Sequence, residues 1–183
     1  MLDDGSGDEV ARIVTAWRRE RPDLDVGPLE VLSRVSRLAR YLDLARRATF
    51  ASQGLETWSF DVLAALRRQG PPYQLSPGTL AAETLVTSGT MTNRIDRLEE
   101  HGLVRRLPSP DDRRGVLVEL TDTGRTRVDA AMVTLLEAEH HLLAGIPTDD
   151  VRALASLLQN VLTPLRPARG LTPRDQASCD RTP

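Results

Sequence analysis

Residues 86–125 read VTSGTMTNRIDRLEEHGLVRRLPSPDDRRGVLVELTDTGR, and this stretch decides the fold. Its first part predicts a helix over about 88–101, because Gly102 can adopt the left-handed conformation that ends many helices. Two strands follow, over 104–107 and 116–120, and apolar and polar side chains alternate along the second one. Proline, aspartate and arginine fill the segment between them, which is typical of a hairpin tip. The stretch therefore predicts a helix followed by a charged β-hairpin.

Two further short helices are predicted just before this stretch. The first spans 58–69 and ends at a Gly-Pro-Pro sequence. The second begins at Ser76-Pro77, an N-cap residue followed by proline at the first helical position. Three short helices followed by a hairpin form the plan of a winged helix-turn-helix.

Helices with apolar stripes flank this unit on both sides. The sequence of residues 6–9, Ser-Gly-Asp-Glu, matches a capping box and predicts an N-terminal helix. A longer helix opens at Gly27-Pro28, and two more begin at Thr121 and Thr148. The apolar stripes of the first two of these helices pack either against a partner chain or against the chain's own core, and the sequence alone leaves both arrangements open.

Together these elements predict a mainly α (α+β) fold, a winged helix-turn-helix with a helical dimerisation region. The last 18 residues are rich in proline, arginine and aspartate with almost no apolar content, which is typical of disorder. The predicted regions are an acidic arm with an added helix (1–25), a dimerisation helix (26–56), the winged helix-turn-helix (57–121), two C-terminal dimerisation helices (122–165) and a disordered tail (166–183).

Composition excludes several classes of protein. No run approaches the ~18 apolar residues of a membrane span, and the acidic N-terminus is not a signal peptide, so we expect a cytoplasmic protein. The one cysteine, Cys179, excludes an intramolecular disulfide framework, and its place in the predicted tail argues against a thiol sensor. Nucleophile elbows, phosphate loops and dinucleotide fingerprints are absent, so we expect neither an enzyme nor a cofactor. Glu137, His140 and His141 are too few to indicate a metal site.

Charge is unevenly distributed along the chain. All 24 basic residues are arginine, against 26 acidic residues, and the net charge of −2 taken alone argues against a nucleic-acid-binding protein. Residues 1–10 carry four acids and no base, whereas residues 86–127 carry eight arginines and seven acids. Any affinity for DNA would therefore depend on a few well-placed arginines rather than on a broad basic surface.

The helix over 88–101 has one apolar and one polar face. At 3.6 residues per turn, Met91, Ile95 and Leu98 define the inward face. The opposite face offers small, amide and guanidinium groups, which suit a major groove because arginine pairs with guanine and asparagine with adenine. An ordinary solvated helix face is the alternative. The candidate DNA-contacting residues of this helix are Ser88, Gly89, Thr90, Thr92, Asn93 and Arg97.

The predicted hairpin tip carries the other candidate DNA contacts, Asp112, Arg113 and Arg114. An arginine on a projecting hairpin can enter a narrow minor groove, to which the negative potential there attracts it. A neighbouring aspartate can hold the guanidinium through bidentate hydrogen bonds. The alternatives are a charged hairpin without a partner and a winged helix that contacts only other proteins.

The chain resembles the MarR family of bacterial transcriptional regulators. Residues 86–125 are similar to the family's recognition helix and wing, including a wing Asp-x-Arg carried here by Asp112 and Arg114. The helix order also agrees with the family over residues 28–165. The resemblance implies a homodimer that binds double-stranded DNA, with one helix in the major groove and one wing in the minor groove of each half-site. Half-sites would then lie about 34–36 Å apart.

A narrower resemblance, to the urate-responsive branch of that family, covers the added N-terminal helix and the stretches WRRERPDLD and FDVLAALRRQGPPYQLSP. It implies that Trp17, Asp61, Arg94 and Arg106 sense a small anionic effector such as urate or a related purine. The helix wheel independently places Arg94 at the edge of the apolar face. Alternatively, Trp17 is a packing anchor and Asp61–Arg106 a structural ion pair, or the effector is a phenolic or other aromatic anion.

Overall fold

The computed structural model describes residues 8–110 and 115–165, so the predicted tail and the hairpin tip lie outside the described residues. The described residues form seven α-helices and three short strands. The elements are α1 (Glu9–Glu20), α2 (Gly27–Ala51), α3 (Thr57–Arg68), β1 (Gln74–Leu75), α4 (Pro77–Glu83), α5 (Ser88–Glu100), β2 (Val104–Pro108), β3 (Val116–Leu120), α6 (Asp122–Leu143) and α7 (Thr148–Leu162), followed by a 3₁₀ turn, Thr163–Leu165. The chain divides into two compact units, residues 1–48 and 49–183.

The first unit contains α1 and most of α2. Val10 and Val14 on α1 form a small apolar cluster with Val26. The N-cap of α1 is Asp8, whose side chain accepts a hydrogen bond from the amide of Val10. The capping box predicted from residues 6–9 is therefore wrong in its position: α1 begins two residues later than that pattern implied, because Asp8 itself supplies the capping oxygen.

The second unit contains the main apolar core. The three helices α3, α4 and α5 surround it, and the inward residues predicted for α5, Met91, Ile95 and Leu98, are all buried. Ser76 caps α4 with Pro77 at its first position, as predicted. Gly102 takes a φ of +67° just after α5 and ends that helix, which confirms its expected role.

A three-stranded antiparallel sheet closes one side of this unit, in the order β1-β3-β2. The hairpin of β2 and β3 was predicted, and Arg106 pairs with Val118 at its centre. Strand β1 was not predicted, because its two residues form a strand only by pairing with β3, where Leu75 lies opposite Val118.

The start of α6 is tied to the start of the hairpin. Thr121 caps α6 by accepting a hydrogen bond from the amide of Gly124, and its backbone amide donates to the carbonyl of Leu103. Gly124 lies directly against that carbonyl. The winged helix-turn-helix is therefore continuous with α6 through backbone contacts.

The apolar stripes of the long helices are only partly covered within one chain. On α6 Val128 and Leu135 are buried, whereas Leu142 and Leu143 are exposed. No residue of α7 is buried, although Leu154, Leu157 and Val161 lie along it. Exposed apolar residues also mark α2, among them Val31, Val35 and Leu38. Within the described ranges, no helix is long and apolar enough to cross a membrane.

Candidate nucleic-acid interface

Helix α5 presents a continuous polar surface opposite its buried face. The residues predicted to contact DNA from this helix are all exposed: Ser88, Gly89, Thr90, Thr92, Asn93 and Arg97. Gly89 has no heavy atom within 4 Å of the position a Cβ would occupy, so a ligand can approach the backbone there. The surface therefore combines an open approach at its N-terminal end with amide and guanidinium donors further along.

The N-terminus of α5 is capped by a side chain and leaves backbone amides without acceptors in the helix. Thr87 caps the helix, and its Oγ1 accepts a hydrogen bond from the amide of Thr90 at 3.3 Å. The other amides of the first turn have no intrahelical acceptor and point outward along the helix axis, where the helix dipole also favours negative charge. The hydroxyl of Thr92 donates to the carbonyl of Ser88 at 3.0 Å, so it has no proton left to donate to a ligand.

Arg97 is held by two residues that the sequence interpretation did not select, Glu56 and Trp58. Arg97 Nη2 donates to Glu56 Oε1 at 2.6 Å, and Trp58 Nε1 donates to Glu56 Oε2 at 2.6 Å. The Arg97 guanidinium also lies over the Trp58 ring, with its Cζ 4.8 Å from the ring centroid. The hydrogen bond from Trp58, reinforced by Arg97, holds the pKa of the Glu56 carboxyl below its usual value. Glu56 is therefore a carboxylate at neutral pH.

Arg94 contacts the same tryptophan. Its Cζ lies 5.6 Å from the Trp58 ring centroid, and the residue is partly buried, as its position on the helix wheel predicted. We call Glu56, Trp58, Arg94 and Arg97 the Trp58 cluster. Its Trp58, Arg94 and Arg97 border an open cleft of about 460 Å³ that Gly89, Thr90 and Asn93 also line.

The hairpin is anchored close to its tip. The amide of Ser109 donates to the carbonyl of Gly115 at 2.9 Å and closes the described part of the loop. Within the hairpin, Arg105 Nε donates to Glu119 Oε1 at 2.8 Å, and Glu119 also accepts from the side chain of Gln74 on β1. The predicted contacts Asp112, Arg113 and Arg114 lie outside the described residues.

The four residues assigned to effector sensing lie on different elements. Trp17 is on α1 in the first unit and is 48% exposed. Asp61 is exposed on α3, and Arg94 contacts Trp58. Arg106 forms ion pairs with Asp96 and Glu99, both on α5. These ion pairs tie the β2 residue to α5.

Asp96 stands beside the candidate DNA-contacting face, where an unpaired carboxylate would repel phosphate. Its ion pair with Arg106 offsets that charge. In the described part of the chain, no group of three or more His, Cys, Asp or Glu side chains is placed to hold a metal ion.

This arrangement of helix and wing is matched among known proteins. The MarR family model matches residues 53–115. The HTH-type transcriptional regulator PecS of Dickeya dadantii is 39% identical over 153 residues, which are 84% of this chain and 92% of PecS. The chain belongs to the MarR family. This result confirms the winged helix-turn-helix fold class, and the relation to transcriptional regulators confirms that the chain is not an enzyme.

Two solved structures of the family show ligands of different kinds. A cysteine-to-serine mutant of Escherichia coli MarR complexed with operator DNA is 27% identical, with a TM-score of 0.65, and the match covers 76% of this chain and 99% of that one. CouR of Rhodococcus jostii, bound to p-coumaroyl-CoA, is 28% identical, with a TM-score of 0.62, over 73% of this chain and 92% of that one.

Proposed function

We propose that this MarR-family chain is a ligand-responsive transcriptional repressor that binds a pseudo-palindromic operator as a homodimer and is released by a small anionic effector. The observation that carries the proposal is the polar face of α5, which stands exposed beside a β-hairpin while Met91, Ile95 and Leu98 fix the opposite face in the core. The E. coli MarR structure with operator DNA supports it from a relative of the same fold.

On DNA, α5 lies in the major groove. Arg97 pairs with a guanine and Asn93 with an adenine, since these are the base edges that match guanidinium and amide groups. The first-turn amides, with Ser88 and Thr90, bind a phosphate. Gly89 permits close approach of the backbone. Arg113 and Arg114 enter the adjacent minor groove, and Asp112 orients them.

The homodimer buries the apolar residues that one chain leaves exposed. Regions 26–56 and 122–165 supply the contact surface, which includes Leu38 on α2, Leu142 on α6 and Leu157 on α7, all exposed in the single chain. Each of these three helices carries several exposed apolar residues, and extensive exposed apolar surface is typical of an interface. Two copies then present two α5 helices about 34–36 Å apart, one turn of B-DNA.

The effector acts through Arg94 and Arg106, with Trp17 and Asp61 completing the sensing set. Arg94 lies at the edge of α5, so an anion that pairs with it competes with the contact between Arg94 and Trp58 on the DNA-binding surface. Arg106 links β2 to Asp96 and Glu99, so a change at Arg106 reaches α5 directly. An effector shifts the equilibrium only through its different affinities for the two states, and such coupling is typically about 1–3 kcal/mol.

We propose urate or a related purine anion as the effector, with a phenolic anion as the alternative. CouR bound to p-coumaroyl-CoA is the observation that favours the alternative. Titration of urate, and in parallel of p-coumaroyl-CoA, into the protein–DNA complex separates the two. Urate is expected to release DNA, and Arg94→Ala is expected to blunt the response. Absence of release at millimolar urate, or an unchanged response in Arg94→Ala, contradicts the urate assignment.

Selection of duplexes from a randomised DNA library tests the proposed function itself. The full chain is expected to enrich a pseudo-palindrome with half-site centres about 10 base pairs apart. Arg114→Ala is expected to weaken binding to the selected duplex at least about ten-fold, since it removes a charged minor-groove contact, while the dimer persists. Failure to enrich any sequence favours a winged helix used for protein contact and contradicts the proposal.

A further inference from the structure

We infer that Glu56 and Trp58 are positioning residues for Arg97, and that they make α5 selective for its operator over other DNA. The inference rests on the proposed function, in which α5 enters the major groove. Three contacts form a closed triangle: Arg97 to Glu56, Trp58 to Glu56, and Arg97 over the Trp58 ring. No member of this triangle can turn without breaking a contact to another.

The triangle holds Arg97 from one side and leaves donors free on the other. A guanidinium carries five N–H groups in a planar fork, and recognition of a guanine uses two of them. Glu56 takes a hydrogen bond from Nη2, so Arg97 retains enough donors for a bidentate pair with a base. The Trp58 ring, whose centroid lies 4.8 Å from Arg97 Cζ, further limits where the guanidinium can lie. Arg97 is therefore presented in an orientation set before DNA arrives.

The same contacts restrain Arg97 from binding phosphate. On DNA that lacks the operator guanine, the natural partner of a flexible arginine is the sugar–phosphate backbone, which supplies most non-specific affinity. The donors that Arg97 keeps free are held in one direction, so a phosphate that lies in another direction can be reached only if Arg97 leaves the carboxylate and the ring. Glu56 therefore lowers the affinity of Arg97 for the DNA backbone. Pairing with the correct base leaves the contact between Arg97 and Glu56 intact.

The contribution of the Arg97–Glu56 ion pair to the stability of the fold is too small to explain this arrangement. The side chains of Arg97 and Glu56 are 49% and 58% exposed, and ion pairs that exposed add little to stability. Glu56 also stands at the N-cap of α3, yet its side chain makes no capping hydrogen bond there. Its carboxylate accepts hydrogen bonds from Trp58 and Arg97 on the outer surface and does not cap α3.

Base-by-base binding measurements test the inference. Affinities of the full chain are measured for the selected duplex, for a scrambled duplex of equal length, and for duplexes with each half-site base pair changed in turn. Arg97→Ala identifies the base pair that depends on Arg97. A bidentate arginine–guanine pair discriminates by roughly 5- to 150-fold, so Glu56→Gln is expected to lower discrimination at that base pair by about five-fold or more. Discrimination at the other positions is expected to stay unchanged.

Glu83→Gln is the matched control, because Glu83 is likewise an exposed carboxylate paired with an arginine, Arg68, in the same unit. It removes the same charge without touching Arg97, so it is expected to raise affinity for all duplexes by one common factor or not at all. Trp58→Phe keeps an aromatic ring but removes the indole donor, and it is expected to lower discrimination at the same base pair as Glu56→Gln. Thermal melting of each variant checks that the fold persists.

An equal change for the selected and scrambled duplexes in Glu56→Gln, with discrimination at the Arg97 base pair unchanged, overturns the inference while leaving the proposed function standing. A wild-type chain that prefers no duplex overturns both. In the absence of DNA, the indole N–H resonance of Trp58 supplies a separate readout, expected to shift in both Glu56→Gln and Arg97→Ala. A resonance that moves in neither variant contradicts the triangle in solution.

Discussion

Replacement of Gly124 by alanine is expected to be among the most damaging small substitutions in this chain. A Cβ at this position would lie 2.1 Å from the carbonyl oxygen of Leu103 and 2.9 Å from Cδ1 of Leu120. Real Cβ atoms make ordinary contacts at 3.4 Å or more, so the oxygen must move from 2.1 Å to 3.4 Å, a displacement of 1.3 Å. The neighbour is backbone, so no side chain can rotate away to make room.

The displaced carbonyl is also a hydrogen-bond acceptor. Leu103 O accepts from the backbone amide of Thr121 at 3.1 Å. The Thr121 hydroxyl donates to the neighbouring carbonyl of Gly102 at 2.7 Å. Overpacking costs about 1–3 kcal/mol, and the lost hydrogen bond to Leu103 costs about 1 kcal/mol. The alanine side chain improves helix propensity by about 0.5–1 kcal/mol. The expected net loss is about 2 kcal/mol, a substantial part of the ~5–15 kcal/mol that stabilises a typical domain.

Urea unfolding followed by far-ultraviolet circular dichroism measures this loss, and in a thermal melt the melting temperature is expected to fall by about 4–8 °C. Gly89→Ala is the matched control, because nothing lies within 4 Å of its Cβ position and the substitution is otherwise the same. It is expected to leave stability unchanged or to raise it by up to about 1 kcal/mol. A Gly124→Ala protein within about 0.5 kcal/mol of wild type refutes the reasoning.

Three further substitutions change an exposed residue with a strained backbone, a carboxylate held by two donors, and an exposed apolar side chain. Leu85→Asn is expected to stabilise the chain by about 1 kcal/mol in urea unfolding, because Leu85 is 84% exposed with a φ of +55° and asparagine tolerates that conformation better. Glu119→Gln is expected to cost about 1–2 kcal/mol at pH 7, since Gln74 and then Arg105 hold the Glu119 pKa below its usual 4.5. The wild type therefore loses this stabilisation as the pH falls below about 4.5, whereas Glu119→Gln does not. Leu157→Arg on α7, where Leu157 is 63% exposed, is expected to convert a dimer to a monomer in sedimentation equilibrium.

Each of the three has an outcome that contradicts it. Destabilisation by Leu85→Asn would mean that the leucine side chain packs against something in solution. Parallel stability–pH curves for wild type and Glu119→Gln would show that the carboxylate is not held by its two donors. A Leu157→Arg protein that remains dimeric would exclude α7 from the interface, and a monomeric wild type would contradict the homodimer.

The sequence predicts well those features that depend on local pattern. Helical periodicity identified the buried face of α5, and the residue types at positions 76, 77 and 102 predicted a helix start and a helix end that the structure has. These predictions are correct because each feature depends on contacts within one helical turn or on the φ preference of a single residue.

Features that depend on distant contacts could not be predicted in this way. Strand β1 exists only because it pairs with β3, more than 40 residues later. The Glu56–Arg97 ion pair joins residues 41 positions apart, and its existence depends on how the N-terminus of α3 packs beside α5. Trp58 gives no periodic signal of its own, since its role comes from the two arginines that lie over it.

The salt dependence of binding to the selected duplex and to a scrambled duplex tests the central claim most directly. We predict that the full chain prefers the selected duplex by about 10³-fold or more. We also predict that log affinity falls linearly with log salt, at about 0.9 per phosphate contacted, with a slope of at least about 5 for a dimer. Equal affinity for the two duplexes, or binding that salt does not weaken, would contradict the assignment of α5 and the wing to DNA.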